Sequence, residues 1–414
     1  MVAILFAPSA LTQDDVVRRL DELTRRLEAL DRESAAILTE IEKLRLTIGT
    51  TAGTEDPDLL SVEPLTPQRE ETTAAVEPPR SIGDVEVVQN PSTTPSSRVF
   101  NPDISIIGNV VSHLGGDNPE ERDSIALEEA ELSIQAYIDP YAKAKFYIGY
   151  SDEEVAVEEG FAEFIALPWD LTAKVGKMKA SFGKFNPMHF HTWSTIDAPL
   201  VSETFFGEEG LADSGVSVTK LFPSVESVVL RATAEVFRGD VENVFEPETS
   251  SDLFYLGRIS AYRDLTEDSN IELGGSFARG TLPEVGGSSE YAGVDLTYRW
   301  KPLGRSIYRS FFARGELMLN DREGADETAL GGYLQADWQL ARRWIVGGRY
   351  DYVELPDEPS ITDKGASLML TFRPSEFSLI RGQFRRTDYG AGETANEFLL
   401  QLQFGIGAHG VHPF

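Results

Sequence analysis

Beyond residue 100 the chain is patterned almost continuously with a period of two. Apolar and polar side chains alternate through segments of about ten or more residues, up to a final phenylalanine. In an extended strand successive side chains point to opposite faces, so each segment presents one apolar and one polar surface. Ala130, Leu132, Ile134, Ala136 and Ile138 share one face, and Glu129, Glu131, Ser133 and Gln135 the other. Ala142, Ala144, Phe146 and Ile148 likewise oppose Lys143, Lys145 and Tyr147. The pattern recurs in Ala292, Val294, Leu296 and Tyr298 against Asp295, Thr297 and Arg299, and in Leu400, Leu402 and Phe404 against Gln401 and Gln403. A soluble sandwich alternates too, but its strands commonly have five or six residues, and a dry core has no need of so many inward charges.

Long strands with one greasy and one charged face suit a closed barrel in lipid, where every backbone group is satisfied between strands and the inner face is wet. Turn residues punctuate the pattern with short connections at 139–140, 167–170, 221–224, 301–304, 341–343 and 373–375. Longer acidic or glycine-rich links fall between them at 115–123, 183–210, 239–252, 280–290, 320–327, 354–364 and 389–395. Counting on that basis gives about sixteen strands, the even number that outer-membrane barrels use. The expectation is an all-β fold: a 16-stranded antiparallel transmembrane β-barrel over residues 99–414. Tyr137, Tyr141, Tyr150, Trp169, Tyr298, Trp300, Trp344, Tyr350 and Tyr352 stand near segment ends, as interfacial girdles require.

Upstream the pattern changes twice. Val16, Leu20, Leu23, Leu27, Leu30, Ser34, Ile37, Ile41 and Leu44 alternate spacings of four and three, a heptad seam with charged flanks. Residues 11–47 are thus predicted to be a coiled coil that oligomerises through Leu20, Leu23, Leu27, Leu30, Ile37, Ile41 and Leu44; an amphipathic helix on the barrel or membrane surface is the competing reading. Residues 48–98, rich in Pro, Thr and Glu, read as a disordered linker. Residues 1–10 resemble the tail of a secretory signal peptide, with a frayed start to the helix as the alternative.

Composition narrows the function. The formal charge of -31 opposes nucleic-acid binding, which needs basic patches. No apolar run is long enough for a membrane helix. Five histidines without a recognisable Ser or Asp partner give no catalytic constellation, so no enzyme and no cofactor is expected. His189 and His191 form a His-x-His pair, but no third ligand stands at suitable spacing, so no metal is assigned to them. Loop packing or a pH-sensitive constriction is the expected role. His409 and His412 are expected at the periplasmic rim.

The stretch Gly183-Lys184-Phe185-Asn186-Pro187, continuing through Ala198-Pro199-Leu200-Val201 to Phe206-Gly207-Glu208-Glu209-Gly210-Leu211, resembles a segment of bacterial outer-membrane proteins grouped with porins. Asn101-Pro102-Asp103-Ile104-Ser105 and Gly407-Ala408-His409-Gly410 are similar to the same group. A coiled coil ahead of a sixteen-stranded barrel also resembles the layout of the phosphate-selective porin O and P family, although no lysine-rich phosphate ladder is evident. The resemblance to general porins implies a third external loop, here 183–210, folded into the barrel to narrow it. That loop carries Asp197, Glu203, Glu208 and Glu209, facing Lys174, Lys177, Lys179 and Lys184 across a gap whose transverse field would select solutes. Glu129, Glu131, Lys143, Lys145, Arg299, Arg314, Arg349 and Arg381 are further lumen candidates, with Arg231, Arg258 and Arg385. The resemblance further implies passive diffusion of small hydrophilic solutes or ions, a homotrimer in the outer-membrane bilayer, and insertion by the barrel-assembly machinery through Phe414. The alternative is a structural anchor whose periplasmic coiled coil tethers peptidoglycan or another envelope protein.

Overall fold

The structure, a computed structural model, describes residues 102–114, 124–151, 155–224, 227–242, 244–282, 287–325 and 327–407. The coiled-coil seam, the linker, the leader-like segment, His409, His412 and Phe414 lie outside the described residues.

Among these residues, sixteen strands form one sheet. They are β1 (Asp103–Leu114), β2 (Ile125–Asp139), β3 (Ala142–Tyr150), β4 (Val155–Leu167), β5 (Leu171–Lys179), β6 (Ala212–Leu221), β7 (Val228–Phe237) and β8 (Phe254–Thr266). The second half comprises β9 (Ser269–Thr281), β10 (Ser288–Trp300), β11 (Ser310–Arg322), β12 (Ala329–Ala341), β13 (Trp344–Leu355), β14 (Glu358–Ser375), β15 (Ser378–Asp388) and β16 (Thr394–Gly407). Each strand pairs with its neighbours in sequence, and β1 returns to β16 with Ser105 opposite Gly407 and Leu114 opposite Phe398. The sheet therefore closes and leaves no edge, which is the condition for crossing lipid with strands.

One expected link is absent. Residues 354–364 read as a loop because of Pro356, Asp357 and Pro359, but β13 and β14 run on past it, pairing Leu355 with Glu358. A register shift separates that pair from Glu354 opposite Thr362, and Pro359 lies within the shift, where the ladder needs no donor.

Burial is inverted relative to a soluble protein. Fully buried side chains include Glu131, Asp295, Arg314, Glu316, Arg349, Arg381 and Gln401, whereas Leu273, Leu317, Leu334, Leu368 and Ile406 are exposed. These sets occupy opposite faces of the same strands, as in β16, where Glu397, Leu399 and Gln401 are buried between exposed Phe398, Leu400 and Leu402. An apolar outer surface of this extent is stable only against hydrocarbon. At the short-turn end aromatic rings cluster: Trp300 and Trp338 lie 6.0 Å apart, Phe311 and Trp338 5.6 Å, and Trp344 and Phe372 4.6 Å. Such rings suit the lipid–water boundary.

Candidate functional site

The connection from β5 to β6 is the longest, and it folds inward. At its neck the Ala180 N–H donates to Leu211 O at 2.7 Å. Asn186 spans the same neck: its Nδ2 donates to Ala180 O at 2.7 Å and Leu211 O at 2.9 Å, and its Oδ1 accepts from Leu211 N at 2.8 Å. Gly183 turns the chain with φ +60°, and a Cβ there would strike the Glu316 carboxylate. The glycines and asparagine of the motif thus make a crossing of two chains rather than a binding surface.

Past the neck the loop buries a run of aromatic residues. Phe182, Phe185, Val201, Phe205 and Phe206 pack on Phe237, Phe254, Tyr291, Met318 and Tyr333 of the wall. Phe182 lies 5.2 Å from Phe206, and Phe206 5.3 Å from Tyr291. The helix α1 (Leu200–Phe206), about two turns long, starts after Pro199, and its Phe205 O accepts a hydrogen bond from Tyr291 Oη at 3.3 Å. Each such ring contributes about 1.5–3 kcal/mol of burial, so this packing favours the loop inside the barrel.

Polar locks fix the rest. Asp197 Oδ2 accepts from Arg349 Nη2 at 2.7 Å and Arg385 Nη1 at 3.0 Å, and its Oδ1 accepts from Gln383 Nε2. Arg349 also donates to Asp351 at 2.7 Å and to Thr195 Oγ1 at 2.9 Å. Arg381 donates to the carbonyl oxygens of Trp193 and Thr195 at 3.0 and 2.9 Å. Burial pushes the Asp197 carboxyl up, but the two guanidinium groups outweigh it and hold it well below the ordinary aspartate range. On another wall Lys184 Nζ meets Glu272 at 2.7 Å, while Glu316 accepts the backbone N–H groups of Lys184 and Phe185 at 3.1 and 2.7 Å. On the β2–β4 wall His189 faces Glu131, Glu158 and Glu159 at 2.9, 3.2 and 2.9 Å. Burial lowers the affinity of this imidazole for a proton, yet the three carboxylates outweigh it and hold His189 well above its usual range.

The predicted site residues therefore divide. Asp197, Arg349 and Glu131 have side-chain exposures of 1%, 0% and 0%, and Arg314 and Arg381 are also buried. Asp197 lies within the packed loop and touches its counter-charges directly, and the other four sit beneath the loop, so none of the five lines an open gap. Lys177 is a second correction: it pairs in register with Gly160 and Ser214, on the outward face of Val175 and Val216. Lys174, three residues earlier, points the other way, because an odd spacing in a strand reverses the face. Lys179 ends β5, its N–H on Glu159 Oε1 at 2.8 Å, and Glu129 lies on the inner face of β2 near the same acids. Glu203 is half-buried on α1, and Glu208 and Glu209 are exposed beyond it.

Partly accessible inward charges remain on β3, β4, β5 and β10. Lys145 contacts Glu163 at 3.1 Å, with side-chain exposures of 25% and 20%. Lys143 and Lys174 both stand opposite Glu163 in register, so three strands assemble a lysine cluster that no linear stretch shows. Arg299 lies 4.0 Å from Glu272. Glu158, Glu159, Glu163 and Glu272 were not singled out in the sequence.

No family model matches the chain. An uncharacterized protein of Aquifex aeolicus (strain VF5) is 32% identical over 353 residues, covering 73% of this chain and 72% of that protein. Among solved structures, a high-pH structure of Pseudomonas putida OprB superposes with a TM-score of 0.52 at 9% identity, over 75% of this chain and 95% of that one. The outer membrane channel DcaP of Acinetobacter baumannii gives 0.50 at 10% identity, over 74% and 96%. At such identities the likeness is one of fold.

Proposed function

We propose that this chain, which belongs to one family with the Aquifex aeolicus protein, is an outer-membrane porin for passive diffusion of small hydrophilic solutes or ions. The observation that carries the reading is the inward loop of residues 180–211, locked by Asp197 and Lys184 to different parts of an inverted-polarity barrel. A barrel that only anchored another segment would have no use for a charged interior and a loop held within it. Integral residence in the outer membrane, insertion by the barrel-assembly machinery and a trimeric assembly follow from the same reading.

Lys143, Lys145 and Lys174 surround Glu163 and leave a local excess of positive charge around it, so this is where solute charge would be sensed. The folded protein, inserted in a planar bilayer, should give discrete conductance steps. Under a salt gradient the reversal potential should move toward cation preference in Lys145→Gln and stay unchanged in the outward-facing Lys177→Gln. A sealed bilayer with correctly folded protein would defeat the proposal.

A further inference from the structure

The geometry points to a divalent transition-metal site made by Glu131, Glu158 and His189, oriented by Glu159, which pins the inward loop to β2 and β4. His189 stands just before a 3-10 turn (Phe190–Thr192), with 2% of its side chain exposed. Its Nδ1 lies 2.9 Å from Glu131 Oε2 and 3.2 Å from Glu158 Oε2. One ring nitrogen carries at most one hydrogen, so it serves only one of these oxygens. Its Nε2 lies 2.9 Å from Glu159 Oε2, and Glu159 is itself held as an acceptor by the Lys179 N–H at 2.8 Å. With a cation bound, that partner would keep the hydrogen on Nε2 and release the proton of Nδ1, whose lone pair then shares one space with two carboxylate oxygens. A carboxylate on the far nitrogen is the usual device for orienting a metal-binding histidine.

Three lone-pair atoms then converge, all within 4.8 Å of one another. Bonds of 2.0–2.1 Å to a tetrahedral zinc put neighbouring ligand atoms about 3.3 Å apart, close to the 2.9 and 3.2 Å observed. Glu131 Oε1 is buried and accepts no hydrogen bond among the described residues, although its side chain is 0% exposed. His191, whose Nδ1 is 3.3 Å from the same Glu131 Oε2, is placed to take a fourth position. Charge balance points the same way. An imidazolium sets one positive charge against three carboxylates, with Glu129 adjoining and Lys179 and Lys174 as the nearby cations, whereas a divalent cation supplies two. One or two imidazoles among carboxylates suit zinc and its first-row neighbours; calcium and magnesium take oxygen ligands. Glu158, 21% exposed, gives a path in.

The site does not depend on conduction, so it can fail or hold separately from the porin reading. The full chain, folded in detergent and stripped with EDTA, is titrated with Zn²⁺ alone, read by calorimetry and by metal content after gel filtration. The expected result is one zinc per chain with a Kd of about micromolar or tighter, lost in Glu131→Gln and His189→Gln. Glu159→Gln should weaken binding by about 10–100-fold. Folding of each variant is followed by heat-modifiable gel mobility, and Glu158→Gln, at the more open rim, serves should the buried variants not fold. Absence of one-to-one zinc uptake by folded protein, or unchanged uptake in folded Glu131→Gln or Glu158→Gln, overturns the assignment.

Discussion

Asp197 is enclosed by Arg349, Arg385 and Gln383, and the consequences are those of a buried charge among buried counter-charges. Its carboxyl is held below the ordinary aspartate range, so its contribution to loop docking is complete above the unfolded value of about 3.9 and fades as pH falls from there toward the folded value. The loop should thus resist protease at pH 5 and loosen only well below about pH 4. Asp197→Asn removes the charge and leaves each buried guanidinium with one remaining carboxylate, Asp351 or Glu397, at a cost of about 1–3 kcal/mol. This variant should show protease cleavage within residues 180–211 and noisier single-channel currents already at neutral pH. Cleavage no faster than in the parent protein would mean that the ion pairs do not hold the loop. The sequence marks Asp197, Arg349 and Arg385 as an acid on a loop and bases on an inner face. Their meeting, across more than 150 residues of chain, is a property of barrel closure.

At the scale of elements, the loop depends on its neck. Gly183 adopts a left-handed backbone, and its missing Cβ leaves room for the Glu316 carboxylate, which accepts two loop N–H groups and the Tyr333 hydroxyl at 2.8 Å. Gly183→Ala combines the backbone penalty with displacement of that acceptor, for an expected loss of about 1–3 kcal/mol. Chemical unfolding monitored by tryptophan fluorescence tests this, and an unchanged midpoint would show that the neck relaxes freely. Strand parity explains two sites that sequence reading misplaced or missed. Lys177 and Lys174 have an odd separation and cannot share a face. Glu158 and Glu159 both reach His189 because β3 and β4 shift register between Tyr147 and Ile148, so a strict period of two hides one of the pair.

At the scale of the molecule, the outer wall and the inner wall obey different solvents. Leu296 on β10 and Leu334 on β12 are exposed at 45% and 63% in mid-strand, with lipid as the compatible environment. Leu334→Arg should cost about 2–4 kcal/mol in refolding titrations into lipid vesicles, whereas Leu334→Ala should cost less; equal costs would argue that this face does not meet lipid. The sequence by itself determined the strands, their two faces, the even count near sixteen and the place of the long 183–210 link, because side-chain alternation and turn chemistry act over a few residues; the inward folding of that link was implied only by the likeness to porins. Only the tertiary structure decided which charges touch. The loop's acid meets arginines on β13 and β15, its histidine meets acids on β2 and β4, and three lysines gather around Glu163. Each of these contacts depends on barrel closure, register shifts and a loop crossing the interior, none of which local periodicity encodes.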